Sequence, residues 1–246
     1  MLHRTAPYNA ANLVYNENMK ISPEELGYVI QQFRRVDKVF ISLDEAVEII
    51  SSGKKPQKSF VVATLDDGYK DNLEYGYPVF KKFQVPFCIY LTNSFPNGTS
   101  DLWWYGLENV IMNNSALRLP DGRKLQNGTV DEKRKNFLYL RRDVINCYFD
   151  KTHEFFHQLG DYSFDLQSER EKKCLNWNEV NELANDPLVT IGSHTFNHRP
   201  LSKLSERDAQ DEIVLSKKEL EEKLNRSVKH FAFPFGSENE AGKREY

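Results

Sequence analysis

Several features that would place a protein in a broad class are missing from this sequence. None of its apolar runs approaches the ~20 residues that a membrane-spanning helix needs. It has no block of lysine and arginine of the kind that binds nucleic-acid phosphates, and its formal net charge is −3. The 246 residues therefore predict neither a membrane span nor a nucleic-acid partner.

Signals of export and of disulfide bonding are absent too. Polar residues interrupt each short apolar stretch of the amino terminus, MLHRTAPYNAANLVY, so it lacks the apolar core of a secretory signal. This predicts a cytoplasmic protein, with a secreted or cell-envelope protein as the alternative if an N-terminal segment has been removed. Cys88, Cys147 and Cys174 form no CxxC pair, which favours buried free thiols over disulfides or a zinc–thiolate site.

The sequence does contain a regular alternation of apolar strands and amphipathic helices. At this βαβ spacing the alternation predicts an α/β fold with a parallel sheet or barrel. Pro78 predicts a break within one helix. The predicted strands are 60–65, 86–91, 188–191 and 228–233, and 39–41 is a further short apolar run. The predicted helices are 23–35, 42–51, 69–83, 176–185 and 205–224.

A less regular block interrupts this alternation at about residues 100–160. It contains a predicted helix at 102–112, a hairpin at 117–125 and a long helix at 131–159. Residues 1–246 are therefore predicted to form one catalytic domain that carries a mostly helical insertion.

Two motifs follow predicted strands and carry groups that can hold a metal. Asp66 and Asp67 lie side by side after the first, and their charges repel unless a cation lies between them. His194 and His198 follow the second, and on a helical turn their spacing puts both imidazoles on one face. A turn with two aspartates, or two surface histidines, would explain either motif alone. Together they indicate a site at the carboxyl edge of a parallel sheet.

This set of residues suits metal-assisted hydrolysis of an amide or ester. Two nitrogens and one oxygen leave an open coordination position for water, and a second carboxylate beside that water can act as a general base.

The sequence resembles a known family at three motifs, TLDDGYKDN, SHTFNHRPLS and FAFPFG. They are similar to the first three motifs of the polysaccharide deacetylases, also called the NodB-homology or carbohydrate esterase 4 family. The resemblance implies an irregular (β/α)7-type barrel that removes acetyl groups from N-acetylated, or O-acetylated, sugars of a glycan. It also implies Asp66 as base, and Asp67, His194 and His198 as ligands of a divalent metal, usually Zn²⁺ and sometimes another ion.

The resemblance extends to groups that would contact the substrate. Pro234-Phe235-Gly236 matches the loop whose backbone holds the oxyanion, with the Phe235 N–H as the candidate donor. Tyr69 is a further candidate contact. Trp103 and Trp104 fit either a sugar-stacking platform or core packing of the inserted block.

Two departures from the family pattern bear on activity. Ala232 or a neighbour replaces an arginine that orients the base, and the chain ends ten residues after Gly236. The family's later strands and its histidine general acid are therefore not expected within this chain, and the barrel is expected to be incomplete. An open barrel would expose a strand edge through which copies could self-associate. An inactive, carbohydrate-binding relic of the fold is the alternative function.

A rival motif lies within the inserted block. His153-Glu154-Phe155-Phe156-His157 fits the H-E-x-x-H signature of zinc peptidases and lies on a predicted helix, although no third ligand stands out downstream. A peptidase is therefore a third, weaker hypothesis.

Overall fold

Strands and helices alternate over the part of the chain that the computed structural model describes, residues 1–53, 55–237, 239–242 and 244. The strands are β1 (Arg4–Thr5), β2 (Lys20–Ile21), β3 (Val39–Phe40), β4 (Phe60–Val61), β5 (Ala63–Asp67), β6 (Phe87–Leu91), β7 (Ala116–Arg118), β8 (Lys124–Gln126) and β9 (Val189–Ser193). The α-helices are α1 (Val14–Glu17), α2 (Pro23–Arg35), α3 (Leu43–Ser51), α4 (Tyr77–Phe83), α5 (Trp103–Asn113), α6 (Val130–Asp143), α7 (Thr152–Leu159), α8 (Leu166–Lys173), α9 (Trp177–Ala184) and α10 (Glu206–Leu224).

The chain divides into two compact units. The first consists of residues 1–8, 19–100 and 171–246, and the second consists of residues 9–18 and 101–170. The inserted block predicted at 100–160 falls within the second unit. None of the helices in the described ranges is long and apolar enough to cross a membrane.

A parallel sheet lies at the centre of the first unit. Its strand order is β5-β6-β9, and its last register row joins Asp67, Leu91 and Ser193. Leu2 bridges β5 on one side and Phe231 bridges β9 on the other, both in parallel. The segments that follow β5, β6 and β9 therefore leave the sheet at the same edge.

Alternate side chains of these strands make the core of the first unit. Leu65, Ile89 and Ile191 share a register row and pack into one hydrophobic cluster with helical residues. The next row, with Asp66, lies on the opposite face, because successive side chains of a strand alternate. The helical members of the cluster include Ile30 of α2, Phe80 of α4, Leu183 of α9 and Leu220 of α10.

The α/β fold with parallel strands is confirmed. The β1–β2 and β3–β4 pairs are parallel as well, and each forms a two-stranded sheet beside the three-stranded sheet β5-β6-β9 in the strand pairing of the described residues. The break predicted at Pro78 is also present, since a π-helical turn at Asn72–Gly76 precedes α4 and the proline lies in the first turn of α4. Proline is tolerated there because that N–H has no helical acceptor.

The second unit contains the antiparallel β7–β8 hairpin and helices α5, α6 and α7. Asn127 is fully buried, and its side-chain amide donates to the carbonyls of Ile111 and Asn114, both at 2.7 Å. Thr129 then caps α6 together with Glu132 in a reciprocal capping box.

Three sequence predictions about these elements were wrong. The long helix at 131–159 is interrupted by a π-helical segment and a 3₁₀ turn between α6 and α7. Residues 228–233 form a single bridge, at Phe231, instead of a strand, since their backbone bonds reach only Ser193. Cys147 is exposed, whereas Cys88 and Cys174 are buried free thiols as predicted.

Candidate metal centre and active site

The first motif forms a tight turn at the end of β5. Asp67 and Gly68 both have left-handed backbone angles, with φ of 76° and 97°. A Cβ at position 68 would lie 2.2 Å from Leu91 Cδ1, so a side chain there would be strained. Without this turn, strand alternation would send the two aspartate side chains to opposite faces. Gly68 therefore allows Asp66 and Asp67 to serve one site.

The second motif is a loop and not the helical turn expected from the four-residue spacing of its histidines. Thr195 and His198 adopt left-handed angles, with φ of 64° and 56°. The Thr195 hydroxyl accepts a hydrogen bond from the His198 N–H at 3.1 Å. The two imidazoles converge because the backbone doubles back on itself, at a conformational cost.

Asp67, His194 and His198 come together at one point. Asp67 Oδ1 lies 3.4 Å from His194 Nε2 and 3.2 Å from His198 Nε2. The three ligand atoms lie within 4.8 Å of one another, and the residues that the structure describes contain no other such group.

The donor set fits a divalent metal of the zinc class. His194 Nδ1 lies 2.9 Å from the carbonyl of Ala232, which can only accept, so Nδ1 carries a proton and Nε2 is the nitrogen that could bind a metal. Asp67 Oδ1 is buried and makes no hydrogen bond of acceptable geometry among the described residues. An orphaned carboxylate oxygen between two imidazoles is the expected surrounding of a cation with nitrogen and oxygen ligands.

The charges of the site are set by burial and by proximity. Burial alone would raise the pKa of Asp67, but the neighbouring imidazoles outweigh it and hold that pKa well below its usual range. Burial raises the pKa of Asp66, the adjacent Asp67 adds to the rise, and His194 opposes it. Asp67 is therefore ionised, as a carboxylate has to be if it is to bind a metal, while Asp66 is a stronger base than an ordinary aspartate.

Asp66 has an ionisable neighbour that the sequence analysis missed. His3 Nε2 lies 4.0 Å from Asp66 Oδ2, and the His3 side chain is 23% exposed. The amino-terminal segment runs beside β5, with Leu2 exchanging backbone hydrogen bonds with Thr64 and Asp66. The short LHRT segment has no strand pattern strong enough to predict this pairing.

The third motif lies beside His198. The rings of Phe235 and His198 are 4.8 Å apart, and Phe235 has a left-handed φ of 65°. The Ala232 carbonyl, in the same motif, accepts a hydrogen bond from His194 Nδ1. Of the eight non-glycine residues with positive φ among those described, four are Asp67, Thr195, His198 and Phe235, and strain concentrated in this way is typical of functional sites.

Two predicted substrate contacts are buried instead. Tyr69 is 3% exposed, packs edge-on against Phe95 and carries the Arg4 guanidinium over its ring. Trp103 is 2% exposed within the second unit, so it cannot serve as an open stacking platform. Trp104 is half-buried there and packs edge-on against Trp103.

The H-E-x-x-H motif lies on α7 as predicted, but its first histidine is already engaged. His153 Nδ1 contacts the Tyr162 hydroxyl, and Nε2 lies 2.9 Å from the Asp101 carbonyl. Glu154 and His157 are exposed. This geometry does not support a peptidase site.

Part of the site lies in a segment that is similar to a known family. Residues 144–245 match the family model described as polysaccharide deacetylase. The part matched includes His194, His198 and Phe235. Asp66 and Asp67 lie outside it and join the site through the position of β5 in the sheet.

One curated protein and two solved structures are also similar to this chain. YxkH, a candidate polysaccharide deacetylase of Bacillus subtilis, is 40% identical over 47 residues, which span 19% of this chain and 17% of YxkH. The deacetylase PplD of Streptococcus pyogenes, solved in complex with acetate, shares the fold with a TM-score of 0.61 at 16% identity, covering 100% of this chain and 75% of PplD. IcaB of Ammonifex degensii has a TM-score of 0.57 at 16% identity, covering 97% of this chain and 74% of IcaB.

Proposed function

We propose that this protein is a metal-dependent hydrolase that removes acetyl groups from N-acetylated, or O-acetylated, sugars of a polysaccharide or other glycan. The observation that carries the proposal is the convergence of Asp67, His194 and His198 beside the buried carboxylate of Asp66. The similarity of residues 144–245 to the polysaccharide deacetylase family model supports the same reaction class.

Asp67, His194 and His198 would hold the metal, with Zn²⁺ as the first expectation and other divalent ions as alternatives. Bound there, a divalent ion supplies Lewis acidity toward water and toward the acetyl carbonyl. The protein groups then have to move two protons and stabilise one developing charge.

Asp66 is proposed as the general base. It accepts a proton from the attacking water, whose oxygen forms the new bond to the acetyl carbon. Its burial and raised pKa support this role, because a base whose pKa is closer to the working pH drives the transfer further.

His3 is proposed as the general acid. The C–N bond of the acetamide breaks, acetate leaves, and the sugar nitrogen takes a proton from the imidazole. His3 lies within 4.0 Å of Asp66 and is partly open to solvent, which supports a position beside the leaving group. An acid within the chain revises the expectation from the sequence that the acid lies elsewhere.

The Phe235 N–H is proposed to donate to the oxyanion that develops on the acetyl oxygen. The left-handed backbone of Phe235 and its ring contact with His198 keep this residue beside a proposed metal ligand. A donor of this kind is typically worth about 3 kcal/mol in the transition state.

Acetate release tests the proposal directly. Chelator-treated protein, with and without added Zn²⁺, would be assayed on acetylated chitooligosaccharides, peptidoglycan fragments and O-acetylated glycans. We expect release from at least one substrate only after metal is restored. Equal release without metal would contradict metal dependence. Zinc-loaded protein that binds acetylated glycans but never releases acetate would instead indicate an inactive, carbohydrate-binding relic of the fold.

A further inference from the structure

The loop that carries the two histidines needs support from outside itself. Thr195 and His198 both adopt left-handed backbone angles, and Thr195 is β-branched, which makes that conformation costly. The internal bond from the His198 N–H to the Thr195 hydroxyl holds one turn only. Another element therefore has to keep the loop in the conformation that directs both imidazoles at Asp67.

Glu212 of α10 supplies this support. Its side chain is buried, and both carboxylate oxygens accept hydrogen bonds from Asn197, at 2.7 Å from the backbone N–H and at 2.8 Å from the side-chain amide. The Glu212 backbone carbonyl also accepts from the Phe196 N–H at 2.9 Å. Three bonds from one residue thus fix the middle of the loop between the two histidines.

A carboxylate matches these contacts as they stand. Both Asn197 groups are donors, and an ionised glutamate offers only acceptors. A glutamine at 212 could still accept from the backbone N–H through its amide oxygen, if the Asn197 side chain turned to accept from its N–H groups. An alanine at 212 removes both side-chain bonds.

We propose that Glu212 is a positioning residue that sets the metal affinity of the site by holding the His194–His198 loop. This inference rests on the proposed function, because it assumes that Asp67, His194 and His198 bind the metal. The bonds that join Glu212 to the loop are made with Asn197 and Phe196, so Glu212 acts on the two histidines through these residues.

Glu219 provides a matched control on the same helix. Seven residues further along α10, it accepts from the side-chain amides of Asn93 at 2.7 Å and Asn97 at 3.0 Å. It thus resembles Glu212 in charge, helix and type of partner, but it holds the segment after β6, which carries no proposed ligand.

The experiment measures Zn²⁺ affinity by competition with a chromogenic chelator, for wild type, Glu212→Ala, Glu219→Ala and His194→Ala. We expect Glu212→Ala to bind Zn²⁺ about 10- to 100-fold more weakly, as is usual when support behind a ligand is lost. Glu219→Ala should weaken binding much less, because the segment that it holds reaches the histidine loop at one remove, through bonds from Thr92 and Ser94. Thermal unfolding of the metal-free proteins separates loss of the loop from loss of the fold.

The outcomes are distinguishable. Wild-type affinity in Glu212→Ala, together with weak binding in His194→Ala, would overturn the role of Glu212 and leave the proposed function standing. No specific Zn²⁺ binding in wild type would overturn both. If Glu212→Ala does not fold, Asn197→Ala replaces it, because Asn197 is exposed and its alanine variant loses one of the same bonds. Unchanged affinity in Asn197→Ala would also contradict the inference.

Discussion

The two units of the molecule each contain a pair of histidines four residues apart, and the pairs differ in their surroundings. His194 and His198 lie on a strained loop of the first unit, with both Nε2 atoms within 3.4 Å of one carboxylate oxygen. His153 and His157 lie on a regular helix of the second unit, where His153 already contacts Tyr162 and Asp101 and His157 is exposed.

The two histidine pairs differ in the hydrogen-bond partners of their ring nitrogens. The Nδ1 of His194 is held by a backbone carbonyl, which leaves Nε2 available as a ligand. In His153 both nitrogens have protein partners. Helical spacing is therefore weaker evidence of a metal site than an unsatisfied carboxylate at the point where two rings converge.

The largest effect on turnover is expected for Asp66, the proposed general base in the first unit. Asp66→Asn should lower kcat by about 10²- to 10⁴-fold, because it removes the proton acceptor and keeps the shape. Glu154→Gln makes the same change in the second unit's motif and should leave turnover intact. The rate of acetate release measures kcat of both variants. A large loss of kcat in Glu154→Gln, with little loss in Asp66→Asn, would contradict the assignment of the base to the first unit.

A loss of about 10²-fold in kcat is expected for His3→Gln, the low end of general acid catalysis. The leaving nitrogen would then have to take its proton from water. His157→Gln is the matched histidine of the second unit. Steady-state kinetics that give equal kcat for His3→Gln and wild type would contradict the assignment of His3.

Substitutions in the second unit should change the stability of the protein and leave its activity unchanged. His153→Ala removes the partners of Tyr162 and the Asp101 carbonyl, and we expect about 1–3 kcal/mol less free energy of unfolding. Exposed His157→Ala should change it by no more than about 0.5 kcal/mol. Denaturant unfolding measures both. Reduced Zn²⁺ affinity in His153→Ala would contradict a purely structural role.

The smallest effects are expected at helix caps, and they should be alike in the two units. Thr129 caps α6 through the Glu132 N–H, and Ser205 caps α10 through the Asp208 N–H. Replacing either by alanine should cost about 1 kcal/mol of folding free energy. Thr129→Ser and Ser205→Thr, which keep the hydroxyl, are the controls. Equal stability of the alanine variants and wild type would contradict the capping geometry.

Much of the site could be predicted because its residues follow apolar strands. Asp66, Asp67, His194 and His198 each come at or directly after the end of a parallel strand, and such ends meet at one edge of the sheet. His3 could not be predicted in this way. Its approach to Asp66 depends on Leu2 pairing with β5, a long-range contact that a three-residue segment does not reveal.

Other errors also come from long-range packing. Tyr69 and Trp103 are chemically suited to sugar binding, but their rings are buried in the protein and are not exposed to a substrate. The helix predicted at 131–159 has continuous helical periodicity, and nothing local marks where the π-helical segment interrupts it. The left-handed backbone conformation of Thr195 is locally unfavourable. It occurs in a loop that donates hydrogen bonds to Glu212 of α10, further along the chain, and the local sequence does not reveal these contacts.

The most direct test of the account is metal content after loading with Zn²⁺ and removal of excess, for wild type, His194→Ala and His157→Ala. Elemental analysis should find about one ion per chain in wild type and His157→Ala and almost none in His194→Ala. Loss of the ion in His157→Ala alone, or full occupancy in His194→Ala, would contradict the assignment of the metal centre to Asp67, His194 and His198.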